Sequence, residues 1–139
     1  MSADFIDSNV FIYLFDTRDP RKHEIARRLI ESALASGEGC ISFQVVQETL
    51  RVMTGKLPIP APPEIAQAFL QHSLLPLWTV MPSAALYASA LRLKERWQLS
   101  FYDALIVAAA LEAGCKRLLT EDLQHGQRID GLRIVNPFK

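Results

Sequence analysis

Short apolar runs, each separated from the next by a stretch of helical period, constrain most strongly what this chain can fold into. The runs are Ala3 to Asp7, Cys40 to Ser42, Leu77 to Val80, Leu118 to Thr120 and Leu132 to Val135. Between them, apolar residues recur at three- and four-residue spacing. Ile25, Leu29 and Ala33 do so in a stretch opened by Asp19-Pro20 and closed by Gly37, and Val45, Val46, Leu50 and Met53 do so from Phe43 to Thr54. Leu86, Ala90, Leu93 and Trp97 follow Ser83 in the same way. Asp and Ser are preferred N-caps, Pro suits the first helical position, and Gly marks a helix end. Asn9 to Phe15, Glu64 to Ser73 and Ser100 to Ala113 complete the expected helices, with Gly126 and Gly131 read as loop. Parallel strands need crossover connections and, covered on both faces, read as continuous apolar runs. The expected class is therefore α/β, a three-layer α/β/α sandwich around a parallel sheet.

With 139 residues, half of them apolar, the chain is expected to form one domain spanning residues 1–139. The proline-rich segment from Pro58 to Pro63 cannot be regular structure and is too short to separate domains. Lys plus Arg, 15, equals Asp plus Glu, 15, so no global basic field advertises a nucleic acid. That objection weakens if several carboxylates are neutralised by cations, which would leave basic side chains in excess elsewhere. No apolar run approaches the roughly 20 residues that span a bilayer, and no secretory leader pattern opens the chain; a soluble, cytoplasmic protein without membrane partners is expected. Cys40 and Cys115 lack a second thiol at metal or redox spacing and are expected to be buried free thiols.

Chemistry is carried by four acidic residues, Asp7, Glu48, Asp103 and Asp122. Asp7 and Asp122 follow apolar runs, so both are expected at strand C-terminal ends, where open α/β sheets bind ligands. Each has an ordinary explanation: Asp7 as an N-cap, Asp122 as a cap or loop opener, Asp103 in a capping box with Ser100, and Glu48 in an exposed ion pair. What those explanations leave unexplained is that all four fall at one sheet edge or on helices entering from it. Gathered carboxylates raise one another's pKa unless a cation neutralises them. Hard oxygen donors without Cys or His at ligand spacing select Mg²⁺ or Mn²⁺, and such ions commonly engage phosphate. His23, His72 and His125 are isolated, and no glycine-rich phosphate loop is present.

Asp7-Ser8-Asn9, Ser42 to Glu48, Ser100 to Ala104 and Thr120 to Leu123 resemble the four ordered motifs of PIN-domain ribonucleases, most closely VapC-type toxins. The resemblance covers essentially the whole chain. It implies a five-stranded parallel sheet of order 3-2-1-4-5, a Mg²⁺- or Mn²⁺-dependent endoribonuclease, homodimerisation, and inhibition by a cognate antitoxin. By position, Asp7, Glu48, Asp103 and Asp122 would bind the metal, with Asn9 and Thr120 supporting the first and fourth carboxylates. Some relatives carry a further acidic residue after the fourth motif, where this chain has Leu123-Gln124-His125-Gly126. The number of ions is thereby left open.

The implied reaction is hydrolysis of an RNA phosphodiester by metal-activated water, leaving 3′-hydroxyl and 5′-phosphate ends. Arg18, Arg21, Lys22, Arg51 and Lys56 are the candidate RNA contacts. Two other classes stay open. A Mg²⁺-dependent phosphatase or phospho-acceptor of the haloacid-dehalogenase or receiver type would also place Asp7 after the first strand, although the former needs an acid where Asn9 stands. A non-catalytic PIN-fold interaction module would keep the fold without the chemistry.

Overall fold

A computed structural model describes residues 3–139. In chain order the elements are β1 (Asp4–Ile6), α1 (Ser8–Ile12), α2 (Pro20–Ser36), β2 (Gly39–Ser42), α3 (Phe43–Gly55), α4 (Pro63–Phe69), β3 (Trp78–Val80), α5 (Ala84–Trp97), α6 (Phe101–Glu112), β4 (Arg117–Leu119), β5 (Arg128–Ile129) and β6 (Leu132–Val135). The sheet order is β3-β2-β1-β4-β6-β5. Its first five members are parallel, and β5 pairs antiparallel with β6.

The parallel strands thus follow the expected 3-2-1-4-5 order, with one correction. The segment read as loop around Gly126 and Gly131 contains a sixth strand, because Asp130 (φ 50°) and Gly131 (φ 88°) form a two-residue turn that pairs Ile129 with Leu132. Such turns need positive φ at both central positions, which Asp-Gly adopts readily.

Helix boundaries follow local chemistry. Asp19 caps α2 by accepting from the Arg21 and Lys22 backbone N–H groups, and Gly37 at φ 72° closes it. The expected helix from Glu64 to Ser73 is α4 only as far as Phe69. It then widens into a π turn over Leu70–Leu74 and tightens into a 3₁₀ turn over Leu75–Leu77. Pro76, lacking an N–H, cannot continue an α-helix there, so β3 begins at Trp78 rather than Leu77.

Helix α6 buries every residue from Ala104 to Ala110. It lies against α5, whose Leu86, Ala90 and Leu93 are buried as their spacing predicted. Both cysteines are free thiols, but only Cys115 is fully buried; Cys40 is partly buried against the core. Burial, and then the neighbouring Cys40, push the Cys115 thiol up to about 12. Among the described residues, no helix is long and apolar enough to cross a membrane.

Strand β1 sits between β2 and β4, with Ile6 paired to Leu119. The chain leaves β1 as Asp7 and β4 as Thr120, side by side at the C-terminal edge, where the Asp7 N–H donates to the Leu119 carbonyl at 3.0 Å.

Candidate active site

Asp7 is both a helix cap and the buried centre of a polar network. Its Oδ1 accepts from the Ser8 N–H at 2.7 Å, and its Oδ2 accepts from Thr120 Oγ1 at 2.8 Å. Thr120 Oγ1 in turn accepts from Asn9 Nδ2 and from the Asp122 N–H, both at 3.1 Å. A hydroxyl has one donor and two acceptor positions, so Thr120 is fully used. Asn9 Nδ2 also donates to Asp122 Oδ2 at 3.1 Å. On the other side, Ser8 Oγ donates to Glu48 Oε2 at 2.7 Å, and Gln44 Nε2 donates to Glu48 Oε1 at 3.0 Å and to the Tyr102 carbonyl at 3.1 Å.

Burial pushes the Asp7 carboxyl up to about 7, with the charges of Asp122 and Glu48 adding to the rise and the Thr120 and Ser8 hydrogen bonds opposing it. Asp122 is likewise raised, first by burial and then by the charges of Asp103, Glu121 and Glu48, against the hydrogen bond from Asn9. The charges of Glu48, Asp103 and Asp122 thus each act on Asp7 or Asp122. Asp103 contributes only half a capping box: its N–H donates to Ser100 Oγ at 3.2 Å, while its carboxylate has no hydrogen-bond partner among the described residues. Glu48 makes no ion pair among the described residues either, which leaves the solvated-pair explanation for it without a partner there.

Among the described residues, no three acidic, His or Cys side chains converge closely enough to hold an ion in the positions shown. The donor set nonetheless fits a hard divalent cation in kind. It is all oxygen, neighbouring carboxylate charges help raise Asp7 and Asp122, and the buried Asn9 Oδ1 has no hydrogen-bond partner among the described residues.

A family model described as PIN domain matches residues 5–130. The chain belongs to the PIN domain family. No curated protein matches this PIN domain significantly in sequence. Solved structures do match it in fold. Mycobacterium tuberculosis VapC20, described as a Sarcin-Ricin loop cleaving toxin, superposes with a TM-score of 0.63 at 23% identity, over 86% of this chain and 92% of that one. A toxin-antitoxin complex from Klebsiella pneumoniae gives 0.65 at 21% identity, over 98% of each chain. FitAcB from Neisseria gonorrhoeae gives 0.65 at 21% identity, over 97% of this chain and 98% of that one.

The basic residues nominated from sequence are not equivalent in this PIN domain. Arg51 is exposed on α3 and Lys56 just past its end, and Arg21 is exposed at the start of α2. Arg18 forks onto Asp16 through Nε at 2.8 Å and Nη2 at 2.7 Å. Lys22 is not a free cation: Nζ donates to Glu121 Oε2 at 3.0 Å and to Tyr13 Oη at 3.2 Å, over the Tyr13 and Phe138 rings. Tyr13 Oη donates to the other Glu121 oxygen at 2.6 Å. This clamp on the residue before Asp122 had no sequence signal, because its members are remote in the chain. Gln44 was also missed as a site residue, although its place one turn before Glu48 on α3 was legible in the spacing.

Proposed function

We propose that this PIN domain is a Mg²⁺- or Mn²⁺-dependent endoribonuclease, the toxin of a toxin-antitoxin pair, acting as one domain over residues 1–139 in the cytoplasm. The observation that carries this reading is the buried Asp7 carboxyl, raised to about 7 beside Asp122 and Glu48. Such a group is a poor structural cap alone and a good ligand once a cation removes the repulsion. Asp7, Asp103, Asp122 and Glu48 would hold the ion, which supplies activation of a water for attack on phosphorus and neutralisation of charge on the phosphoryl oxygens. The chain's own part is orientation. Thr120 fixes Asp7 and the backbone of Asp122, Asn9 ties the first motif to the fourth, and Ser8 with Gln44 aims Glu48.

The strand order argues against a receiver-type phospho-acceptor. Receiver-like folds run 2-1-3-4-5, whereas here β2 separates β1 from β3. The Klebsiella neighbour's description as a toxin-antitoxin complex supports an antitoxin partner. Tyr87 and Leu91, 39% and 58% exposed on α5, supply an apolar surface for a homodimer or that antitoxin.

The test is cleavage of end-labelled total RNA by purified protein freed of bound partner, with Mg²⁺, Mn²⁺ or EDTA, beside Asp7→Asn and Asp103→Asn. Discrete fragments that require metal and both carboxylates are expected. Cleavage persisting in the variants, or absent from protein that still binds Mg²⁺ in calorimetry, would overturn the reading.

A further inference from the structure

Beside Glu48 lies a cavity of about 430 Å³ whose walls include Ile12, Gln44, Gln47, Arg51, Val52 and Tyr102. It shares Ser8 and Glu48 with the acidic site, and its volume falls within the usual small-ligand range of about 300–1,000 Å³. A larger cavity of about 880 Å³ between α5 and α6 touches none of the four carboxylates.

Three features of the smaller cavity point to one kind of occupant. Tyr102 is 66% exposed, a large aromatic ring held at the rim by an edge-on contact with Phe101 at 5.4 Å. Its backbone carbonyl accepts from the buried Gln44, so the stretch of α6 from which the ring projects is anchored to α3. Gln44 is 4% exposed and spends Nε2 on Glu48 and Tyr102, but its Oε1 has no hydrogen-bond partner in the structure. A buried amide carbonyl without a donor is unfavourable; Gln44 Oε1 is closed to solvent in this conformation, so a ligand N–H relieves it once the amide turns toward the cavity. Arg51, one turn beyond Gln47 on the same helix, is exposed and makes no ion pair among the described residues.

An aromatic platform, an unpaired amide acceptor and a free guanidinium beside an acidic centre match the chemistry of a nucleotide. Unstacked bases are recognised by stacking on aromatic rings and by hydrogen bonds along their edges, while cations take the phosphates. We infer that this cavity is a nucleobase subsite, in which one unstacked base next to the scissile phosphate stacks on Tyr102, donates an N–H to Gln44 Oε1 and is flanked by Gln47, with Arg51 on the adjoining phosphate. It rests on the nuclease reading and adds that cleavage is selective for the base at one position.

The probes are AMP, CMP, GMP and UMP, titrated separately in EDTA into the full chain by calorimetry or ligand-observed NMR, with wild type, Tyr102→Ala and Tyr102→Phe. At least one nucleotide is expected to bind, with unequal affinity across the four. Tyr102→Ala should weaken it about tenfold, within what base stacking on an aromatic contributes, and Tyr102→Phe should restore it. Mapped cuts in total RNA should share a base at one position in wild type and lose that preference in Tyr102→Ala. If none of the four binds, or if Tyr102→Ala binds as wild type does, the subsite is wrong even where metal-dependent cleavage persists. Selective binding without any RNA cleavage would retain the subsite and remove the nuclease.

Discussion

Thr120 is the residue on which the site's geometry turns. It is fully buried, and its hydroxyl is the junction of Asp7, Asn9 and Asp122. Thr120→Val keeps the shape and removes all three hydrogen bonds. Leaving that many polar groups unpaired should cost about 2–4 kcal/mol of stability, measurable by urea denaturation, and should raise the Asp7 carboxyl further. Asp7 itself gives the cation-free protein a pH signature. Its folded value, about 7, lies above its ordinary 3.8. Its contribution to stability is therefore complete below about pH 3.8 and is lost as pH rises through about 7. Melting in EDTA should show lower stability at pH 8 than at pH 5.5, by up to a few kcal/mol. Asp7→Asn should flatten that slope, and Mg²⁺ should restore stability at pH 8 in wild type.

At the scale of elements, Gly39 shows how closely α2 and β2 meet. A Cβ there would lie 2.9 Å from Ala33 Cβ and 3.3 Å from both Ile6 Cδ1 and Leu77 Cδ2. Gly39→Ala should overpack this contact and destabilise by about 1–3 kcal/mol, read as a lowered melting temperature. The helical stripes of α2, α3 and α5 were legible because a 3.6-residue period needs nothing beyond the chain itself. Two elements were not. The π and 3₁₀ turns after Phe69 depend on where Pro76 must fall to enter β3. The short β5 exists because Asp130-Gly131 folds Ile129 back onto Leu132; the Asp-Gly signal was in the sequence, but a two-residue strand is too short to show a period.

At the scale of the molecule, the sheet order decides which motifs meet. Helix α5 buries Leu86, Ala90 and Leu93 inward while leaving Tyr87 and Leu91 outward, so core packing and an apolar outer surface coexist on one helix. Leu91→Glu should leave the fold intact and convert the proposed dimer to a monomer in light scattering; an unchanged mass would remove this face from the interface. The sequence by itself determined the α/β class and the positions of Asp7 and Asp122 just after apolar runs, because strand and helix periods and cap chemistry are local. Only the tertiary structure decided that β1 and β4 are neighbours, so that Asp7 and Thr120 meet 113 residues apart in the chain. It also decided that Lys22 is held by Glu121 and Tyr13, and that Gln44 keeps an unpaired carbonyl beside Tyr102. Those outcomes come from long-range packing, which sets burial and charge proximity together, and neither is written in the spacing of residues along a chain.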